Sequence, residues 1–157
     1  MNITVEQTTD ETYIKSVLFN PDIYPAIRDD SCPEESSTLY GVNIMAIPGF
    51  FLRVLVDGIP AGVFWAIWKD RRIEAHTALL ENCRGTRAIK ATRAAIKWAF
   101  ANTAAESVDS FAWSDAPAVK WFCRAVGLSE GRTEKWPNTR NGKPVDITYY
   151  SIARGAL

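Results

Sequence analysis

The stretch from Ala78 to Phe100 carries the residues whose types and spacing suggest binding chemistry. A short apolar segment there leads through a polar turn, which contains Arg84 and Gly85, into a helix. A strand that enters a helix through a glycine turn leaves backbone N–H groups free at the positive end of the helix dipole, and both attract phosphate. Five basic residues and no acidic ones lie between Asn82 and Ala105. The stretch therefore predicts binding of a phosphate-bearing small molecule.

A second pair of residues suggests proton transfer. Glu74 and His76, the one histidine of the chain, lie two residues apart in a strand-like run, so their side chains share one face of the strand. Histidine titrates near neutrality, which makes the pair a candidate general base. The alternative is that His76 is a satisfied core or edge residue and Glu74 a solvated one. The sequence leaves both interpretations open.

The composition predicts one soluble domain without a general affinity for polyanions. The 157 residues are about the length of a single domain, so residues 1–157 are expected to form one. Lysine plus arginine equals aspartate plus glutamate at 18 each, so the overall charge favours neither nucleic acid nor an anionic membrane. Three cysteines without a CxxC pair indicate neither a disulfide framework nor a metal site, and they suit a reducing cytoplasm. No run reaches the ~18 apolar residues of a membrane span, and the N-terminus lacks a signal-peptide pattern.

The first half of the chain predicts two helices and an antiparallel meander. Asp10 can cap a helix that reaches about Phe19, and Asn20-Pro21 supplies the N-cap and first residue of a shorter helix. Residues 31–49 contain turn formers and no period, which predicts an irregular loop. Residues 2–6 alternate weakly, as a first strand would. The strands of the meander are predicted at Phe50–Val56, Ala61–Trp68 and Ile73–Leu80.

The second half of the chain predicts two further helices and two strands, and it leaves open one more strand before the last. The helix from about Thr86 to Ala101 has an apolar face opposite a basic stripe, which is typical of a solvated surface helix, although the first basic residues could also reach a ligand. Gly127 has the position of a C-cap for the next helix, and Ser114 and Asp115 are candidates for capping its start. The remaining segments are the strand Ser107–Trp113, the helix Ala116–Val126, the polar, turn-rich tail Gly131–Pro144 and the strand Val145–Ala153.

This order of elements, with the Arg84-Gly85 turn and the helix end at Val126-Gly127-Leu128, resembles the GCN5-related N-acetyltransferases, the GNAT superfamily. The likeness spans nearly the whole chain and is clearest over residues 50–128. Within the superfamily the sequence is most similar to the small GNAT-like proteins that bacteriophages carry. The resemblance implies an α+β (α/β) fold, in which a twisted mixed, mostly antiparallel sheet is flanked by helices: the acyl-CoA N-acyltransferase fold.

The resemblance also implies acetyl-CoA (CoA) as the cofactor, bound where the fourth and fifth strands splay apart. In the family the pantetheine pairs with the fourth strand, here Ile73–Leu80, and the pyrophosphate lies on the turn into the central helix. Arg84 and Gly85 match that turn, whereas Arg87 and Ile89 stand where the family has small residues. The implied cofactor-binding residues are Thr77, Ala78, Leu79, Arg84, Gly85, Thr86, Arg87, Ala88 and Asp115.

The chemistry implied by the resemblance is transfer of an acetyl group to an amine, with Glu74 and His76 as the candidate base. Many family members protonate the departing thiolate with a tyrosine. That position here is occupied by Cys123, beside Phe122, and Asp115 stands roughly where an asparagine is common. A thiol could donate a proton, although a free cysteine in a helix is more often a small core residue. The candidate catalytic residues are Glu74, His76 and Cys123.

Two functions of different class follow from these residues. The first is an acetyl-CoA-dependent N-acetyltransferase acting on an amine of a small molecule or protein. The second is a catalytically degraded GNAT-like binding module of phage origin that engages a host or virion protein. Asp29, Asp30 and Tyr40 could select a cationic acceptor, or the two aspartates could simply end a helix. The six tryptophans either pack in the core or line a ligand cleft. A homodimer is left open, and no nucleic acid, membrane or metal partner is expected.

Overall fold

Seven strands and four helices make up the computed structural model, which describes residues 1–157. The strands are β1 Ile3–Thr8, β2 Gly49–Val56, β3 Ile59–Lys69, β4 Arg72–Leu79, β5 Ser107–Trp113, β6 Ser129–Arg140 and β7 Lys143–Ala153. The helices are α1 Glu11–Leu18, α2 Tyr24–Ile27, α3 Thr86–Asn102 and α4 Pro117–Val126. None of these helices is long and apolar enough to cross a lipid bilayer.

All seven strands belong to one sheet, in the order β1-β2-β3-β4-β5-β7-β6. Neighbouring strands are antiparallel except β4 and β5, which run parallel. The parallel pair requires a crossover connection, and α3 provides it. This architecture confirms the mixed, mostly antiparallel sheet with flanking helices that the family resemblance implied.

The sheet has an apolar core on each face, because side chains alternate along every strand. On the back face, Phe64 and Ile73 pack with residues of α3 and α4 in the largest core cluster. On the front face, Phe51 and Val63 pack with Ile14 and other residues of α1 and α2. The sheet is therefore a central layer that supports different helices on its two sides.

The helices begin and end as local sequence predicts at several points. The Asp10 carboxylate accepts a hydrogen bond from the N–H of Tyr13 at 3.0 Å and caps α1, as expected. Gly127 ends α4 in the left-handed conformation with φ 110°, also as expected. Arg93, one residue of the basic stripe on α3, donates to the carbonyls of Ala125 and Val126 at 2.9 Å each. Its positive charge therefore stabilises the C-terminus of α4, the negative end of the helix dipole.

Two predicted segments differ from the structure. Asn20 caps a turn instead of a helix, since its side chain accepts from the N–H of Asp22 at 2.8 Å, and α2 begins only at Tyr24. The tail 131–144 was predicted as a turn-rich segment, but most of it is β6, the edge strand of a long hairpin with β7. An edge strand that is largely exposed on both faces needs no apolar alternation, so its sequence carries little strand signal.

The predicted capping of α4 by Ser114 or Asp115 is wrong. Ala116 is the N-cap, and no side chain caps this helix. Ser114 accepts a hydrogen bond from the N–H of Asp146 at 3.0 Å, and Asp115 pairs with Nε of Arg140 at 3.1 Å. Both side chains are engaged by the β6–β7 hairpin, which local sequence could not indicate.

Candidate functional site

A wedge opens in the middle of the sheet, between the two parallel strands. β4 and β5 pair only through Arg72–Glu74 and Ser107–Asp109, after which the strands diverge. Leu80 donates its N–H to Ala61 of β3 at 2.9 Å. Because backbone groups alternate in direction along a strand, those of Thr77 and Leu79 face the other way, into the wedge. The rest of β4 is therefore an unpaired strand edge available to a ligand.

The start of α3 lies at the end of this edge. Gly85 precedes the helix with φ 62° and ψ −131°, a conformation that favours glycine, and a Cβ at this position would meet no atom within 4 Å. The N–H groups of Thr86, Arg87 and Ala88 have no hydrogen-bond partner in the protein, and no side chain caps the helix. These donors and the helix dipole form an open anion site.

Two arginines flank the anion site, and the structure gives them different roles. Arg84 is exposed and lines both the wedge and an adjoining cavity of about 530 Å³. Arg87 instead donates to the carbonyl of Asn82 at 3.2 Å, so its side chain folds back over the turn. Arg84 is the cation that remains available to an anionic ligand.

The wedge continues into a cleft of about 740 Å³ that reaches both faces of the sheet. Of its 37 lining residues, 27 are hydrophobic, so a ligand there would contact few polar groups. One of those polar groups is Thr92 on α3, whose buried hydroxyl has no hydrogen-bond partner in the protein. A buried hydroxyl without a hydrogen-bond partner costs free energy, so a ligand that forms a hydrogen bond with Thr92 would bind more tightly.

Glu74 and His76 form a hydrogen-bonded pair on the front wall of the cleft. Nε2 of His76 lies 3.0 Å from Oε1 of Glu74, and both side chains are half-buried. The hydrogen bond with His76 lowers the pKa of Glu74, against the opposing effect of burial. An ionised carboxylate only accepts hydrogen bonds, so Nε2 carries the proton and Nδ1 is the basic nitrogen.

Cys123 lines the cleft but belongs to the main core cluster on the back face. Burial raises the pKa of its thiol to about 11. An ordinary thiol has a pKa of about 8.5, so giving a proton to another thiolate would be unfavourable for Cys123. No tyrosine lines the cleft.

Most of the residues singled out in the sequence come together in the cleft, and three do not. Thr86 and Arg87 lie outside its walls, although their N–H groups face the anion site. Asp115 is directed to Arg140 instead of the cleft, because the β6–β7 hairpin brings that guanidinium next to it. The predicted residues that line the cleft are Glu74, His76, Thr77, Ala78, Leu79, Arg84, Gly85, Ala88 and Cys123.

Asp29 and Asp30, which were candidates for selecting a cationic acceptor, have structural roles. Asp29 is buried and accepts hydrogen bonds from Ser31, Trp136 and Asn138. Asp30 accepts from Thr139 and from the backbone at the turn of the β6–β7 hairpin. Both carboxylates join the loop after α2 to this hairpin, so neither is free to select a cationic acceptor.

Several aromatic side chains of the cleft were not assigned to it from the sequence. Trp65 of β3, Phe111 and Trp113 of β5 and Trp136 of β6 line it, beside His76. The high tryptophan content was the only signal, and it did not distinguish core from cleft. The position of Trp136 depends on the pairing of β6 and β7, which the sequence did not indicate.

The seven-stranded sheet with its wedge between β4 and β5 is the fold of the GNAT acetyltransferases. A spermidine N-acetyltransferase from Vibrio cholerae, solved with CoA and spermine, matches with a TM-score of 0.78 at 15% identity, over 98% of this chain and 96% of that one. A ribosomal L7/L12 alpha-N-protein acetyltransferase, solved with coenzyme A, matches with a TM-score of 0.74 at 16% identity, over 98% and 96%. A ribosomal-protein-S5-alanine acetyltransferase from Vibrio fischeri matches with a TM-score of 0.72 at 12% identity, over 99% and 94%.

The chain belongs to a family described as a protein of unknown function (DUF2824), whose model matches residues 45–157. No curated protein is significantly similar to the chain in sequence. The structural likenesses have low sequence identity, so they show the fold alone.

Proposed function

We propose that the protein is an acetyl-CoA-dependent N-acetyltransferase that transfers an acetyl group to an amine of a small molecule or a protein. The observation that carries the proposal is that the unpaired edge of β4 leads directly to the open anion site at the start of α3. An extended ligand with amide groups at one end and phosphates at the other fits this arrangement. Similar structures solved with CoA support the choice of ligand.

The residues present fit CoA along its length. The backbone groups of Thr77 and Leu79 would pair with the pantetheine amides, and the buried hydroxyl of Thr92 offers a further hydrogen bond. The N–H groups that follow Gly85 would bind the pyrophosphate, with Arg84 adding a charge-assisted contact. Arg87 makes no such contact in this structure, since it donates to Asn82.

The acceptor amine must be neutral before it can attack. Bound acetyl-CoA supplies an acetyl thioester, whose carbonyl carbon is the electrophile. His76, with Nδ1 as its basic nitrogen, is positioned to take a proton from the amine directly or through water. Glu74 fixes the tautomer of His76 and stabilises the imidazolium that forms.

The departing sulfur needs a proton, and Cys123 is poorly suited to provide it. Burial keeps the pKa of this thiol at about 11, and no tyrosine lines the cleft. We therefore assign protonation of the thiolate to water, and Cys123 to the apolar packing of α4 on the sheet.

The test is calorimetric titration with acetyl-CoA of the wild type and two matched variants. Arg84→Gln removes the cation at the anion site and should weaken binding by about five- to thirtyfold, since a charged hydrogen bond contributes about 1–2 kcal/mol. Lys90→Gln removes an exposed charge one turn further along α3 and should change the dissociation constant by less than about twofold. Absence of binding by the wild type at millimolar acetyl-CoA would refute the proposal.

The second candidate is a GNAT-like binding module, of the kind carried by bacteriophages, that engages a host or virion protein. The lack of a tyrosine in the cleft favours it, because the usual proton donor is missing. Release of free CoA, followed with a thiol-reactive dye across a panel of amines, separates the two functions. Turnover would exclude a purely binding role, whereas acetyl-CoA binding without turnover of any amine would support it.

A further inference from the structure

An aromatic wall runs across the front face of the sheet beside the candidate base. We define it as Trp65, His76, Phe111, Trp113 and Trp136, all of which line the cleft. The ring centroids of His76 and Phe111 lie 5.1 Å apart, those of Phe111 and Trp136 5.6 Å, and those of Trp65 and His76 6.4 Å. The candidate base is thus one member of a continuous row of rings.

The aromatic wall leaves apolar surface open to the cleft. Trp65, Phe111 and Trp136 are only partly buried, although each side chain is large enough to dominate a core. Covering apolar surface contributes about 25 cal/mol per Å², and a well-oriented pair of rings adds about 0.5–1.5 kcal/mol. A flat apolar group is therefore the ligand that this wall binds best.

The carboxylates around the aromatic wall favour a positively charged ligand. Three carboxylates line the cleft: Asp22, Asp29 and Glu74. Asp29 accepts from Trp136 of the wall at 2.7 Å and is ionised at neutral pH, since, against the effect of burial, its hydrogen bonds lower its pKa to about 2. These charges suit an ammonium group, and the open apolar surface of the wall is the feature that distinguishes one amine from another. A polyamine has no flat apolar group to cover that surface.

We infer that the amine acceptor is a primary amine carried by an aromatic or similarly flat apolar group. This inference rests on the proposed function. The amine lies at Glu74 and His76, and the apolar group contacts Phe111, Trp65 and Trp136. His76 takes one proton from the ammonium group and passes it to solvent, and the neutral amine nitrogen then bonds to the thioester carbonyl carbon. The carbon–sulfur bond breaks and its electron pair leaves with the sulfur of CoA, while the second proton that the nitrogen loses passes through water to that thiolate. The product is an N-acetylated arylalkylamine, which is an uncharged amide.

The first experiment compares acceptors by release of CoA from acetyl-CoA. We expect kcat/KM for 2-phenylethylamine to exceed that for spermidine by at least about tenfold, which corresponds to about 1.4 kcal/mol. Turnover of spermidine at an equal or higher kcat/KM would overturn the inference and leave the proposed function intact.

The second experiment tests the aromatic wall with matched variants. Phe111→Leu should raise KM for 2-phenylethylamine by about five- to tenfold and leave KM for ethylamine within about twofold, because only the aryl group contacts the wall. Trp68→Leu alters an exposed tryptophan that does not line the cleft, so it should leave both values unchanged. Equal effects of Phe111→Leu on both amines would contradict the inference, and an unchanged thermal shift with acetyl-CoA shows that the variant is folded.

The third experiment does not depend on catalysis. Saturation-transfer NMR with the wild-type protein alone should detect binding of 2-phenylethylamine and show competition by tryptamine but not by spermidine. Absence of arylalkylamine binding would overturn the inference whether or not acetyl-CoA binds. Failure of acetyl-CoA binding with retained arylalkylamine binding would refute the proposed function alone.

Discussion

The Glu74 carboxylate determines which nitrogen of His76 can act as a base. Its pKa is lowered by the hydrogen bond with the imidazole, so it stays ionised and accepts from Nε2 at any pH near neutrality. The two side chains are only half-buried, which leaves room for water between His76 and an acceptor amine. In the proposed reaction, Glu74 is therefore the positioning residue and His76 the base.

Glu74→Gln tests this division of tasks at the residue scale. A glutamine can accept or donate toward His76, so the tautomer is no longer fixed and the imidazolium loses its counter-charge. We expect kcat to fall by about tenfold to a hundredfold, while KM for acetyl-CoA changes by less than about twofold. Steady-state kinetics with thiol detection measure both constants.

The matched control for this change is Glu106→Gln, a surface glutamate paired with Arg71 at the far end of β4 and β5. It should leave kcat and KM unchanged. A kcat for Glu74→Gln equal to that of the wild type would show that the carboxylate has no part in the reaction.

Local sequence was sufficient for residues whose partners are near in the chain. The period of two along a strand placed Glu74 beside His76, and the turn before α3 placed Arg84 and Gly85 at the anion site. Asp115 could not be assigned in this way, because its partner Arg140 is 25 residues away and lies in the β6–β7 hairpin. The alternation of a strand is a local property, whereas an ion pair between elements is not.

At the scale of elements, the loop after α2 and the β6–β7 hairpin are joined by one buried carboxylate. Burial alone would raise the pKa of Asp29, but hydrogen bonds from Ser31, Trp136 and Asn138 lower it to about 2. Trp136 also belongs to the aromatic wall, so its hydrogen bond to Asp29 fixes the position of this part of the wall. The sequence did not indicate this connection, since β6 lacks apolar alternation and Asn138 lies 109 residues from Asp29.

Asp29→Asn should destabilise the fold by about 2 kcal/mol at neutral pH. The –NH₂ group of the asparagine would replace one carboxylate oxygen, and it cannot accept the hydrogen bonds that the protein donates to that position. The folded-state pKa is depressed below the ordinary value of 3.8, so this stability is fully present above pH 3.8 and is lost as the pH falls toward about 2. The stability difference between wild type and variant should therefore shrink below about pH 4. Urea unfolding followed by tryptophan fluorescence at pH 7, 5 and 3 measures it.

The control for Asp29→Asn is Asp22→Asn, which changes an exposed aspartate seven residues earlier in the chain. Its side chain accepts no hydrogen bond from the protein, so the change should alter stability by less than about 0.5 kcal/mol. A stability difference for Asp29→Asn that does not vary between pH 7 and pH 3 would show that the carboxylate charge is not the stabilising feature.

At the scale of the whole molecule, the sheet consists of two blocks joined by a short seam. One block is β1 to β4 and the other is β5 to β7, and only three residue pairs connect β4 to β5 directly. Core residues of α3 and α4 cover this seam on the back face. The resemblance implied a fourth and fifth strand that splay apart, but the point at which the seam opens depends on how the two blocks twist relative to each other.

A ligand that pairs with β4 and binds at α3 would complete hydrogen bonds that the seam leaves unmade. Saturating acetyl-CoA should therefore slow amide exchange by at least about tenfold at Thr77 and Leu79 and at Thr86, Arg87 and Ala88. The amides of β7, which lies between β5 and β6 in the sheet, serve as the internal control and should change by less than about twofold. Hydrogen exchange with mass spectrometry at pH 7 resolves the peptides concerned. Equal slowing in every peptide would indicate general stabilisation by mass action, and no slowing in the β4 peptide would mean that the unpaired edge is not where the cofactor binds.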